Sequence, residues 1–266
     1  VLSPAELLND LFGSRALIRA ADPSLTDDEV DAFHRERSAD PEGIRWSASD
    51  APLLDEVRSV LGARPGSGGL EAVRTYGHIV VDEVQDLSPM ELRVLDRRSL
   101  NGSMTVVGDI AQATGAWAHE GWESILEHLP HKRPPQRHEL TVGYRIPGPL
   151  MDLAARVLAE AVPDLKPPVS VRGDGEEPLF VEAAGDVAVE VARVVADESA
   201  AVEPGNVAVV VAASQVEEVE AALEAAGVVF GRPNRHGLDV SVTVVPVTLV
   251  KGLEVDAAVV VEPSRI

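Results

Sequence analysis

His78-Ile79-Val80-Val81-Asp82-Glu83-Val84-Gln85-Asp86 is a short apolar run that ends abruptly on three carboxylates and an amide. A run of this length bounded by polar residues predicts a parallel strand buried on both faces. In open parallel sheets ligands gather beyond the carboxyl ends of the strands, so acids placed there face the ligand. Ser88-Pro89-Met90-Glu91 follows at once. Ser and Glu three apart, with Pro at the first helical position, predict a capped helix N-terminus.

Strand, acidic turn and helix together form the layout of a Walker B site. There one Asp holds Mg²⁺ through nucleotide phosphates, and the adjacent Glu orients and deprotonates the attacking water. An isolated Asp-Glu pair is read more simply as solvated acids at a strand end. The fuller pattern Asp-Glu-x-Gln-Asp behind a short apolar run is much rarer.

The 266 residues, 45% of them hydrophobic, suffice for one large core or two modest ones. With no cysteine there is neither a disulfide partner nor a thiolate metal site. No apolar run approaches the roughly 20 residues that span a bilayer, and the N-terminus lacks the basic and apolar regions of a signal peptide. A soluble cytoplasmic protein without a membrane partner is the expectation. The net charge of −21 makes the chain a poor sequence-independent nucleic-acid binder, since that affinity comes from Lys and Arg neutralising phosphates. An acidic surface confers solubility, and it also suits a partner with a basic groove. The seven histidines are scattered, and His128 and His131 have no further ligands nearby in sequence, so no metal site built from side chains alone is expected.

Residues 1–75 read as a helical insertion or lid. Ser3-Pro4-Ala5-Glu6 and Thr26-Asp27-Asp28-Glu29 are capping boxes. Ser49-Asp50-Ala51-Pro52 opens a third helix with Leu53, Leu54, Val57 and Leu61 on one face and Gly62 past its end. Arg64-Pro65-Gly66-Ser67-Gly68-Gly69 is a flexible connector. From Tyr76 strands and helices alternate. Met104 to Val107 is a second strand, a helix runs near Trp122 to Leu129, Arg137 to Val142 is a strand, and a helix covers Pro149 to Ala161. The Pro- and Gly-rich stretch 163–178 is the expected linker. Beyond it, strands are expected at Leu179–Glu182, Val207–Val211, Val240–Val245 and Ala257–Val261, with helices at Val187–Ala196 and Gln215–Ala225. Alternation of this kind predicts an α/β fold with largely parallel sheets in two lobes, 76–162 and 179–266.

Other segments fit the same chemistry. Asp109 and Gln112 end the second strand, where an amide can hydrogen-bond a γ-phosphate or its attacking water; an ordinary Gly-Asp turn is the plainer reading. Arg145, after Tyr144, offers a permanently charged fork suited to phosphoryl oxygens, or else one of many surface ion pairs. Lys251-Gly252-Leu253-Glu254 precedes the last strand; Gly252 permits a turn and Glu254 could accept from ribose hydroxyls, although a polar turn explains the segment equally well. Trp117 lies in a polar loop, where an aromatic can stack an unpaired base or pack on the next helix.

In this order the segments resemble superfamily 1 UvrD/Rep-like helicases. Residues 82–86 look like motif II, 107–112 like motif III, 144–145 like motif IV and 251–254 like motif V. The phrasing from Arg74 to Gln112 and from Glu139 to Arg145 is most similar to actinobacterial HelD-type proteins, whose ATPase binds RNA polymerase and releases or recycles it. The resemblance implies two RecA-like lobes of the P-loop NTPase type, with ATP and Mg²⁺ as cofactors. It implies that Asp82 binds Mg²⁺, Glu83 activates water, Gln112 senses the γ-phosphate, Arg145 is the arginine finger and Glu254 contacts ribose. Asp109, Lys251 and Gly252 would complete the nucleotide contacts, and Trp117 falls where relatives stack DNA. The aromatic beside that tryptophan in the family is Gly115 here, and the Thr and His upstream of motif V are Pro246 and Thr248. Both departures, with only about a dozen residues between Ala225 and Val240 for a second-lobe insertion, favour RNA polymerase over DNA as partner.

No G-x-x-x-x-G-K-[ST] phosphate loop occurs, and the lysines are Lys132, Lys166 and Lys251 alone. The motif VI arginine is also missing. The expectation is therefore a piece of a larger ATPase, without tight ATP binding or turnover by itself. A UvrD/Rep-like repair helicase and an acidic non-enzymatic interaction module are the alternatives.

Overall fold

The computed structural model describes residues 2–40, 43–62, 73–115, 117, 119–129, 131, 133–233 and 240–265. The chain forms two compact units, Val1–Gly175 and Glu176–Ile266. It is mixed α/β, with short parallel sheets.

The first unit begins with α1 (Pro4–Phe12), α2 (Arg15–Ala21), α3 (Asp27–Phe33) and α4 (Asp50–Leu61). Capping boxes at Ser3 and Thr26 start α1 and α3 as their sequences require. The extra helix α2 is capped by Ser14, whose hydroxyl accepts from the Leu17 N–H. At α4 Ser49 is the N-cap but makes no side-chain cap bond. The neighbouring Asp50 carboxylate, 1% exposed, instead accepts from Arg35 at 2.6 and 2.8 Å and from the Ser47 N–H at 2.7 Å. The Arg35 hydrogen bonds, reinforced by those from Ser47, overcome burial and hold the Asp50 carboxyl down at about 2. Arg35 also lies 4.7 Å over the Phe12 ring, which ties α1 to this corner.

Next come β1 (Ile79–Val81), α5 (Pro89–Arg98) and β2 (Met104–Val106), a strand–helix–strand unit. β1 and β2 pair in parallel, Ile79 with Met104 and Val81 with Val106. Ser88 and Glu91 form the expected capping box of α5. One face of the strand pair packs on Val84, Leu92, Ile125 and Leu129, the last two from and just beyond α6 (Trp122–Leu126). The other face is open, because Val80 is 69% exposed. The expectation of a strand buried on both faces is therefore corrected: two strands form a ledge with one covered side. Asp55 and Glu56 on α4 take up Arg93, Arg97 and Arg98 on α5, which anchors the helical segment to the sheet. Burial pushes the Asp55 carboxyl up, but its bonds from Arg98 and Arg97 leave it below the ordinary range.

The segment expected as a strand over 137–142 contributes only β3 (Val142–Gly143), which pairs with β4 (Val169–Ser170) beside α7 (Gly148–Ala161). Leu140 is 88% exposed, so the upstream part has neither a neighbouring strand nor a core to hold it. The stretch read as a linker thus contains a paired strand and also the division between the units.

The second unit holds α8 (Val187–Ala201), β5 (Val207–Val211), α9 (Val216–Ala225), β6 (Val242–Pro246) and β7 (Ala257–Val260). Its sheet is parallel in the order β6-β5-β7. β5 is buried along its whole length, because α8 and α9 cover one face while Val247, Val250, Leu253 and Val255 cover the other. This strand has the two-sided burial that its Val-rich run predicts. Leu179 and Phe180, expected in a strand, are exposed and pair with no ladder. The Arg64–Gly69 connector and Lys132 lie outside the described residues.

Candidate functional site

β1 ends at Val81, and the chain turns at once. Glu83 adopts φ 52 and ψ 39, a left-handed conformation that is uncommon for residues other than glycine. Its N–H donates to Asp82 Oδ1 at 2.9 Å, which steadies that conformation from within the turn. Val84–Asp86 then form a 3-10 turn whose Val84 N–H reaches the Val107 carbonyl beyond β2, at 3.2 Å. The two strand ends are therefore stitched together past the sheet, and Asp82 and Glu83 are exposed while Asp86 is half-buried.

The second turn, Ile110–Gln112, follows β2 and is capped by Asp109, whose Oδ1 accepts from the Ala111 N–H. Asp109 Oδ2 accepts from Gln112 Nε2 at 2.9 Å. A fully buried side chain, Gln85, bridges the turns. Its Nε2 donates to Glu83 Oε2 at 2.6 Å and its Oε1 accepts from the Asp109 N–H at 3.0 Å. A carboxylate only accepts and a peptide N–H only donates, so the amide has one orientation that serves both. Gly108 makes this possible, since a Cβ there would overlap Gln85 Oε1 and come within 2.9 Å of Val84 Cγ1. Asp82, Glu83, Asp109 and Gln112 thus stand on one ledge at the carboxyl edge of a parallel strand pair.

The loop after Gln112 is moored to the same turn at both ends. Asp86 Oδ1 accepts from the Thr114 N–H at 3.1 Å, and His119 Nε2 donates to the Leu87 carbonyl at 2.8 Å. Between these moorings Trp117 is 62% exposed.

Arg145 sits in an exposed turn after β3, in the second two-stranded sheet of the same unit. Arg172 Nη1 donates to the Arg145 carbonyl at 3.0 Å, and Ser170 Oγ donates to the Ile146 carbonyl at 2.6 Å. Lys251, Gly252 and Glu254 belong to the second unit. Gly252 has φ 77, where a side chain would be strained, and Leu253 anchors the turn in the core. Of the sequence-expected residues, the hydrogen bonds join Asp82, Glu83, Asp109 and Gln112 into one constellation. Arg145 and the Lys251–Glu254 turn stand on other elements.

Four exposed oxygen-bearing side chains suit a hard cation. Among the described residues no group of three or more His, Asp or Glu side chains could hold a metal ion by itself.

Gln85 belongs to the Asp-Glu-x-Gln-Asp pattern and Gly108 to the 107–112 segment, but the sequence does not show either as part of a bridge between the turns, and His119 carries no signal of its own. Gln85 stands between Val84 and Asp86, so its neighbours alone do not mark its amide as inward-facing. A related pair occurs in the second unit. Buried Gln215 donates to Glu262 Oε2 at 2.5 Å, and Glu262 is left-handed with φ 42. There the Gln215 Oε1 finds no partner. Comparison with protein-family models and with curated proteins found no match.

Proposed function

We propose that this chain is part of an ATP-dependent superfamily 1 helicase-like protein of the HelD type, with its two units belonging to two RecA-like lobes and RNA polymerase as its partner. The observation that carries the reading is the ledge on which Asp82 and Glu83 stand beside Asp109 and Gln112, tied through Gln85. Magnesium bound with a triphosphate supplies charge neutralisation at the phosphoryl oxygens. Asp82 is the carboxylate for that ion. Glu83 is the base, its Oε2 fixed by Gln85 so that the carboxylate can orient a water and take its proton. Gln112 is the amide for a terminal phosphate. Arg145, Lys251, Gly252 and Glu254 are assigned to arginine-finger, phosphate and ribose roles by family resemblance alone.

Capture with RNA polymerase core enzyme tests the partner. The reading expects the tagged chain to retain the polymerase at physiological ionic strength and to show no preference for tailed duplex DNA. A second reading, a repair helicase, draws on exposed Trp117 in its moored loop. It expects the reverse: tailed duplex retained, with loss in Trp117→Ala, and polymerase not retained.

A further inference from the structure

We propose that Gln85 is a positioning residue that makes the two turns of the ledge one mechanical unit, so that a change at Gln112 is transmitted to the Glu83 carboxylate. The proposal rests on the nucleotide reading for its catalytic meaning, and on geometry alone for the coupling.

Four residues are joined by three hydrogen bonds, and at Asp109 the path passes from the carboxylate to the same residue's peptide N–H. Gln112 Nε2 holds Asp109 Oδ2 at 2.9 Å, the Asp109 N–H is held by Gln85 Oε1 at 3.0 Å, and Gln85 Nε2 holds Glu83 Oε2 at 2.6 Å. Gln85 is fully buried, whereas Glu83, Asp109 and Gln112 are exposed. A buried amide cannot exchange its partners for water, so its rotamer is set by what it touches. Gly108 closes the space above Oε1, with no room there for a Cβ. When the Asp109 peptide moves, Gln85 either follows or leaves a buried acceptor without a donor. Following it shifts the donor that sets the Glu83 rotamer.

The second unit provides the contrast. Gln215, after β5, donates to Glu262, after β7, so the donor half alone joins two strand ends there, and among the described residues its Oε1 has no partner. Holding a left-handed Glu needs only the donor half of the amide. Gln85 uses both halves, and the acceptor half reaches across to the other turn.

The test uses the ¹⁵N-labelled 266-residue chain without nucleotide. The side-chain amide protons of Gln85 should exchange roughly fivefold or more slowly than those of exposed glutamines. Gln112→Ala, at an exposed position, should shift both the Gln85 side-chain amide and the Glu83 backbone amide. In a Gln85→Met background the Glu83 shift caused by Gln112→Ala should vanish. Glu83 responding equally in both backgrounds would overturn the proposal. So would a Gln85 amide that exchanges freely or ignores Gln112→Ala, a result read from folded wild-type and Gln112→Ala proteins even if Gln85→Met fails to fold. Failure of magnesium–triphosphate binding at Asp82 would leave these outcomes unchanged, so the two ideas fail separately.

Discussion

Alanine at Gly108 is the sharpest perturbation of the ledge, because one methyl group meets two buried neighbours at once. Its Cβ would overlap Gln85 Oε1 and press on Val84 Cγ1 at 2.9 Å, with the Val84 nitrogen at 3.3 Å. Val84 and Gln85 are both fully buried, so neither can swing out into solvent. Inserting a methyl group into packing this tight costs about 1–3 kcal/mol. Displacing Gln85 also breaks its bond from the Asp109 N–H, about 1 kcal/mol more. The expected destabilisation is roughly 2–4 kcal/mol. All three tryptophans, Trp46, Trp117 and Trp122, lie in the first unit, so urea unfolding followed by tryptophan fluorescence reports on that unit alone. Trp122 packs against the cluster that contains Val84, which places the probe at the perturbed core. Gly115→Ala is the control, since its Cβ would find only ordinary contact, with the Asp86 carbonyl at 3.5 Å. It should fall within about 0.5 kcal/mol of wild type. Equal midpoints and slopes for Gly108→Ala and wild type would show that Gln85 is not wedged beneath Gly108, and the reasoning would fail.

Two further outcomes follow from the packing. The Asp50 carboxyl is held at about 2, against 3.8 for an ordinary Asp, by Arg35 and then Ser47. Since the folded value lies below the unfolded one, its stabilisation is complete above about pH 4 and is lost as pH falls toward 2. Arg35 is 40% exposed and partly screened, so the contribution is about 1–2 kcal/mol. Asp50→Asn should remove that part of the acid sensitivity, measured as the pH dependence of the urea midpoint by tryptophan fluorescence. A variant with an unchanged acid limb would contradict the assignment. In the second unit Leu223 is fully buried among the valines of β5, β6 and α9. Leu223→Ala should cost about 2–5 kcal/mol, read by hydrogen exchange of the β5 amides. Unchanged protection there would mean that the cluster does not hold the sheet.

How much of this was legible beforehand depends on whether a feature is local. The capping boxes at Ser3, Thr26 and Ser88 need only residues three apart, and each starts a helix in the structure. The Val207–Val211 strand was equally plain, because a β-branched run covered on both faces leaves nothing else to decide. Arg137–Val142 and Leu179–Glu182, also expected as strands, largely fail to form them. A ladder needs a neighbour, and no local pattern supplies one. The same limit applies to Ile79–Val81, whose apolar run promised two covered faces and received one. The strand-end positions of Asp82, Glu83, Asp109 and Gln112 could be read from order and spacing. Gln85 could not be read as the bridge, because its second partner lies 24 residues away across a sheet register.

The most direct test of the ledge as a magnesium–triphosphate site is paramagnetic broadening of the amide spectrum by Mn²⁺–ATP, compared with free Mn²⁺ at equal concentration. Resonances at Asp82, Glu83, Asp109 and Gln112 are expected to broaden first with Mn²⁺–ATP, and Asp82→Asn should abolish that preference. Broadening spread over the many exposed carboxylates of this acidic chain, the same for both titrants and untouched by Asp82→Asn, would contradict it.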